Sequence, residues 1–336
     1  MMRYSLVSLL FLILSTSCSP AALRPLSGCE LCAGDQTCLD DECFDDAELC
    51  GGVLCAPDDD CVEDRCVDPD RPVVFATFNL YDLENTNAAD NLARYIDEYE
   101  IDVITFQEIQ PGDAQDIDFA LAARGISMFR AFSSRGGYGG DTGDDYLAVF
   151  SRHPISGAET ILGGTYVDPV SGEAFSYTYM RPVLKLHVTV HDHDLTVYNL
   201  HLKAHVPFPD CENCLDLRRT QAHALENYIL GHDAPETDLI LIAGDANTAI
   251  AGDFEPGNTL DRLTLRSDNP AQTANDFTPV NHLHLHETTH TSFDSELDHL
   301  ILSPALMHAY VPDSVQVIAP AGRPSDHKSV LLRLKF

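Results

Sequence analysis

Residues 238–247, Asp-Leu-Ile-Leu-Ile-Ala-Gly-Asp-Ala-Asn, constrain the fold more than any other stretch of the chain. An unbroken apolar run of strand length needs cover on both faces, which a central strand of a layered α/β domain provides. The run breaks at Gly244 into Asp245 and Asn247, so the two polar side chains belong at the strand's carboxyl end. Two positions apart on an extended chain, they can face the same way. A carboxylate beside an amide can hold a cation or a water and donate to a phosphate oxygen. A strand-ending turn is the competing reading, since Gly, Asp and Asn are all turn formers.

Polar residues interrupt apolar strands in this way repeatedly. Asn79 closes 73–79, Glu108 follows 102–107, and His201 lies within Tyr198-Asn-Leu-His-Leu202. Asp298 opens the late strand 297–302, and Asp326-His327 precede 329–336. Core packing does not require polar groups at so many equivalent positions. Between these strands, apolar spacing predicts helices over 87–99, 113–124 and 217–229 and a hairpin of 177–190 with 195–202. The alternation predicts a mixed α/β domain over 73–336.

Ahead of it the composition changes. Residues 1–17 hold one Arg, an apolar run from Leu6 to Leu14 and then small residues, the architecture of an export signal that is removed. Leu14-Ser-Thr-Ser-Cys18 also resembles a bacterial lipoprotein signal, with its large apolar residue one place early. Cysteine parity bears on the choice: of eleven cysteines, ten remain for disulfides if Cys18 carries lipid. Eight of them fall in 29–66, where Leu31 to Cys43 recurs at Leu54 to Cys66, 23 residues on and with three cysteines in register. This spacing predicts a small disulfide-rich module of two repeats, with zinc as the competing reading of paired cysteines. Its acidic loops could bind Ca²⁺ but lack the spacing of a calcium loop. A linker, 67–72, joins it to the main domain. The chain is thus expected outside the cytoplasm, secreted, periplasmic or lipid-anchored through Cys18, and monomeric.

The formal net charge is −33. Such a surface repels polyanions, which counts against a tight nucleic-acid binder that relies on neutralised phosphates. An enzyme that meets its substrate through divalent cations is not excluded.

Thr77-Phe-Asn79, Thr105-Phe-Gln-Glu108, Asn199-Leu-His-Leu202, Gly244-Asp-Ala-Asn247, Leu297-Asp298 and Ser325-Asp-His327 occur in the order found in the endonuclease/exonuclease/phosphatase (DNase I-like) family, which 73–336 resembles. The resemblance implies a four-layer sandwich of two mixed sheets packed face to face with helices outside, and divalent-metal-dependent phosphoester hydrolysis at one edge. It implies Mg²⁺ or Mn²⁺ on Glu108, with Asn79 and Asp326 completing or orienting the sphere. Asp298 would orient His327, which polarises water or binds phosphate. Asp245 would be base or second-metal ligand, and Asn247 would steady the phosphoryl group. His201 would be the general acid, partnered by Asp144 at the end of a Gly-rich loop.

Arg181 reads either as a phosphate contact or as a solvated side chain. Asn281-His-Leu-His-Leu-His286 puts three imidazoles on one face if it is a strand, giving a metal site or a polar strand face. Tyr81 and His201 stand where apurinic-site endonucleases of the family carry a carboxylate and a Tyr, which moves the expectation towards secreted DNases and sphingomyelinases. The expected function is an exported phosphodiesterase acting on DNA or RNA. The alternatives are a sphingomyelinase-like phospholipase C and a non-catalytic scaffold on the same fold.

Overall fold

The structure is a computed structural model. It describes residues 36–39, 42–45, 49–50, 53–54, 60–62, 65–67, 70–81, 87–134, 145–167, 174–204, 214–248, 251–266, 271, 273–285, 287–292, 295–322 and 325–336. The export signal, Cys18, Asp144 and His286 lie outside these residues.

The chain divides into two compact units, Met1–Pro69 and Asp70–Phe336. In the first, the cysteine repeat is visible in the backbone. Strands β1 (Gln36–Leu39) and β2 (Glu42–Asp45) form one antiparallel hairpin, and β5 (Asp60–Val62) and β6 (Arg65–Val67) form another. Cys38 pairs in register with Cys43 and Cys61 with Cys66, the same positions of the two repeats. Between them, β3 (Leu49–Cys50) pairs with β4 (Val53–Leu54).

The second unit is built on two six-stranded sheets. The first takes β7 (Val73–Asn79), β8 (Val103–Ile109), β9 (Phe129–Phe132), β10 (Tyr146–Ser151), β17 (Gln316–Ile318) and β18 (Ser329–Leu334), in the order β17-β18-β7-β8-β10-β9. The second takes β11 (Ile155–Val167), β12 (Ala174–Val190), β13 (His193–His201), β14 (Ile240–Asp245), β15 (Thr278–Pro279) and β16 (Asp298–Leu302), in the order β11-β12-β13-β14-β16-β15. Each sheet has a parallel pair at its centre, β7 with β8 and β13 with β14. Parallel neighbours need a crossover, and a helix supplies each: α1 (Ala88–Glu98) and α3 (Cys214–His232). A further helix, α2 (Pro111–Ala122), starts two residues earlier than its apolar spacing predicts. Pro111 suits the first helical turn, and Gln110 and Asp113 cap it reciprocally.

Alternation along the strands separates three cores. Val73 and Phe75 of β7 and Leu241 and Ala243 of β14 pack between the sheets. Their neighbours Val74, Ala76 and Phe78 pack with Leu92, Ile96, Ile117 and Leu121 of α1 and α2. On the far side, Ile240 and Ile242 pack with Ala222, Leu225 and Ile229 of α3. The result is the expected four layers of helix, sheet, sheet and helix.

The face between the sheets changes character along four strands. β7 reads Val73, Phe75, Thr77, Asn79; β8 reads Val103, Thr105, Gln107; β13 reads Leu195, Val197, Asn199, His201; and β14 reads Leu241, Ala243, Asp245. Each runs from apolar to polar towards its carboxyl end. Buried groups there are paired: Thr105 Oγ1 donates to Thr77 Oγ1 at 2.8 Å and Gln107 Nε2 to Asn199 Oδ1 at 2.7 Å. Asn199 Nδ2 donates to the carbonyls of Phe106 and Ala148, both at 2.9 Å, tying one sheet to the other. Such a network is rigid because a missing partner in a low-dielectric interior is costly.

Gly244 has φ 133°, and a Cβ there would collide with the backbone carbonyl of Leu200 on the paired strand β13. Neither side can yield without opening the parallel pair. Gly244→Ala is therefore expected to cost about 3 kcal/mol or more of stability in urea unfolding. A loss under about 1 kcal/mol would show that the β13–β14 pairing tolerates displacement.

Candidate active site

The polar ends of β7, β8, β13 and β14 converge on Asp245. Asn79 Nδ2 donates to Asp245 Oδ2 at 3.1 Å and to Glu108 Oε1 at 3.3 Å. His201 Nε2 lies 3.4 Å from Asp245 Oδ2 and 3.5 Å from Glu108 Oε1. His327 Nε2 lies 3.9 Å from the same Asp245 oxygen. Its Nδ1 is 2.8 Å from Asp298 Oδ2, and Asp298 is the register partner of Asp245 across β14 and β16. Residues spread over the whole domain thus share one cluster.

Glu108 reaches it by a departure from regular strand geometry. The strand continues to Ile109, and alternation alone would turn Glu108 to the helix side with Ile104 and Phe106. Instead Gln107 and Glu108 stand opposite Leu147 alone, a β-bulge, and Glu108 has φ 53°. The bulge swings its carboxylate to Asn79. Two more residues just past strand ends, Tyr81 at φ 47° and Asn247 at φ 51°, take the same left-handed conformation. Non-glycine residues held there gather at sites that need a particular geometry.

Asn79 is held between the Tyr81 amide and two carboxylates. Its Oδ1 accepts the Tyr81 amide at 3.1 Å, so the carboxamide nitrogen faces Glu108 and Asp245. Asn247 does not share a strand face with Asp245, because the strand ends at Asp245 and the chain turns. The Asn247 amide donates to Asp245 Oδ1 at 2.7 Å and its Nδ2 to the Leu202 carbonyl at 2.9 Å.

Arg181 is not a solvated side chain. Its guanidinium contacts His201 Nε2, donates to the Leu202 carbonyl at 3.2 Å and lies 3.9 Å from Asp145. Asp145, next to the expected Asp144, is the carboxylate that the described residues bring to this side of the site. Among the described residues, Arg181 is the hydrogen-bonding neighbour of His201 Nε2. An imidazole that accepts from an arginine is neutral, and burial first, then Arg181 and His327, hold its pKa well below the usual range.

His327 goes the other way. Burial opposes its charge, but Asp298, Asp245 and Asp326 outweigh this and push it up to about 10, so it is an imidazolium donor at neutral pH. Of its two expected roles, phosphate binding fits this state. Burial, and then Asp298, raise the pKa of Asp245. Glu108 is also raised, chiefly by burial and against the pull of Arg181.

These residues fit a hard divalent cation. Asp298 Oδ1 and Asp326 Oδ1 are buried and accept no hydrogen bond among the described residues. Oxygens of Asp245 and Asp298 lie within 4.8 Å of each other and of a His327 nitrogen, and an Asp326 oxygen lies as near to nitrogens of His290 and His327. Glu108 feels the charges of Arg181, Asp145 and His327, and His327 those of Asp298, Asp245 and Asp326. Oxygen donors in such number suit Mg²⁺, Mn²⁺ or Ca²⁺ over softer metals.

His290 was not foreseen. It lies in a run of Thr and Ser with no periodic signal, and only its pairing with His327 across the fold makes it visible. The His282 and His284 expectation is corrected. Residues Val280–His284 form a short helix on which alternate positions diverge. His282 pairs with Glu296 at 2.7 Å and meets the Phe254 ring at a tilt, while His284 stacks on Tyr310.

A match to the Endonuclease/Exonuclease/phosphatase family spans residues 76–327. The chain belongs to that family. It is, accordingly, a divalent-metal-dependent phosphoester hydrolase. A search of curated proteins finds no match. Among solved structures, a family protein from Leptotrichia buccalis C-1013-b superposes with TM-score 0.55 at 17% identity, covering 79% of this chain and 100% of its own. TDP2 of D. rerio complexed with single strand DNA product gives 0.53 at 20%, covering 80% and 100%. An AP endonuclease from Archaeoglobus fulgidus gives 0.54 at 15%, covering 79% and 100%. At these identities the likeness is one of fold. In the cluster of this chain, an arginine stands against one histidine and an aspartate against the other.

Proposed function

We propose that this is an exported phosphodiesterase that cleaves DNA or RNA with Mg²⁺ or Mn²⁺. The observation that carries the reading is the meeting of His201, His327 and Asn79 at one oxygen of Asp245. Three groups of different proton demand around one carboxylate suit in-line displacement at phosphorus. The D. rerio protein with its DNA product and the archaeal AP endonuclease support nucleic acid as the substrate. The leader-like 1–17 supports export, and Cys18 is the candidate for lipid.

Glu108 and Asp326 would hold the cation, with Asn79 orienting Glu108. When bound, the cation offsets charge on the phosphoryl oxygens. The His327 imidazolium, steadied by Asp298, donates to a non-bridging oxygen. Asp245, whose pKa burial raises, takes a proton from the attacking water. Phosphate draws Arg181 away from His201. With Arg181 displaced, the imidazole takes up a proton from solvent water and delivers it to the leaving oxygen as the bond to phosphorus breaks.

The test is incubation with plasmid DNA, RNA and sphingomyelin, each with Mg²⁺, with Mn²⁺ and with chelator. Nucleic acid is expected to be cut, and chelator to abolish cutting. Sphingomyelin cleavage alone would move the substrate to a lipid phosphodiester, and turnover that survives chelation would sink the metal assignment.

A further inference from the structure

We propose that His290 is a positioning residue for the metal-binding carboxylate of Asp326, holding one oxygen so that the other is left for the cation. This rests on the site reading above and names a residue that it does not use.

The backbone sets His290 against the end of the site. His290 and His327 form an antiparallel bridge, flanked by hydrogen bonds from the Thr291 amide to the Asp326 carbonyl at 2.8 Å and from the Lys328 amide to the Thr289 carbonyl at 2.6 Å. The imidazole is 6% exposed, and its ring meets His327 edge-on at 5.0 Å. It can neither swing out to water nor approach Asp326 from another side.

The tautomer follows from the hydrogen bonds. The Ser292 amide donates to Nδ1 at 3.0 Å, which occupies that nitrogen's lone pair. The proton of a neutral ring is then on Nε2, which lies 3.2 Å from Asp326 Oδ2 and donates to it. A nitrogen that carries a proton has no lone pair for a cation. His290, Asp326 and His327 offer atoms within 4.8 Å of one another, yet His290 is a donor to the carboxylate and not a third ligand. Asp326 Oδ2 is thereby taken, whereas Oδ1 is buried and accepts no hydrogen bond among the described residues. A carboxylate oriented by an imidazole N–H, with its second oxygen presented to a metal, is the usual division of labour around metal ligands.

Two variants separate positioning from ligation and from packing. Gln can carry an N–H close to the Nε2 position, whereas the shorter Asn turns its Oδ1 to accept from the Ser292 amide and brings no N–H to the Nε2 position. Mn²⁺ affinity of the full chain is measured by titration calorimetry without substrate, alongside kcat and the Mn²⁺ concentration for half-maximal rate. His290→Asn is expected to weaken Mn²⁺ binding about 10- to 100-fold, and His290→Gln to stay within about threefold of the parent. Saturating Mn²⁺ is expected to restore kcat in His290→Asn. If both variants bind Mn²⁺ like the parent, or both lose affinity equally, the positioning role is overturned while the site reading stands. If the parent itself takes up no Mn²⁺, both are overturned together.

Discussion

Asp298→Asn is expected to lower the pKa of His327 from about 10 and to cut kcat by about 10³-fold. Burial by itself disfavours the imidazolium, and the Asp298 carboxylate is the first of the groups that overcome this. An amide in its place keeps the shape and a hydrogen bond to Nδ1 but not the charge, so burial and the remaining carboxylates decide the balance. A His327 ring that loses its proton approaches phosphate with a weaker donor and no charge. Titration of the His327 ring by NMR checks the first half, and single-turnover kinetics with saturating metal check the second. A variant with full activity and an unshifted His327 would mean that Asp245 and Asp326 charge the ring unaided.

The second large effect is expected at His201. His201→Ala should lower kcat by about 10²- to 10⁴-fold with the circular dichroism spectrum unchanged, because the ring touches Asp245, Glu108 and Arg181 but belongs to no apolar core. An unaltered rate would make the site a scaffold. The variant also has a pH signature. The folded-state pKa of His201 lies below its unfolded value near 6.5, so the unfolded chain binds the extra proton as pH falls through 6.5. Its share of stability is fully present above pH 6.5 and is lost on acidification. His153, His290 and His299 are lowered in the same sense. Urea titrations between pH 5 and 7 should therefore give a shallower loss of stability in His201→Gln than in the parent. Equal slopes would show that His201 takes up its proton without unfolding.

Much of the site was legible in the chain before folding, and the reason is periodicity. Asn79, His201, Asp245 and Asp298 each break an apolar alternation at a strand end, and a side chain's face follows from its place in that alternation. The gradient from apolar to polar along 73–79, 195–201 and 241–245 could have been read further, since Thr77 and Asn199 occupy the same face one step inward. The sheets were legible for the same reason: apolar runs joined by amphipathic helices leave few ways to bury both faces.

Alternation fails where the backbone departs from it. Glu108 points into the site only because a bulge reverses its face, and a bulge is a property of the pair β8 and β10. The histidines of 280–284 diverge because that segment is a helix, which so short a run of alternating Leu and His does not disclose.

The amino-acid sequence by itself determined which strands carry polar ends, the doubled cysteine repeat and the family, because these depend on residues close together in the chain or on their order. Tertiary structure alone decided that Arg181 binds His201, that His290 meets Asp326 and that Glu108 joins Asn79. Those pairs are 20, 36 and 29 residues apart, and each forms across strands or loops whose register no local pattern encodes. Proton positions belong to this second class, since burial and neighbouring charge, which only folding supplies, hold one histidine neutral and the other charged.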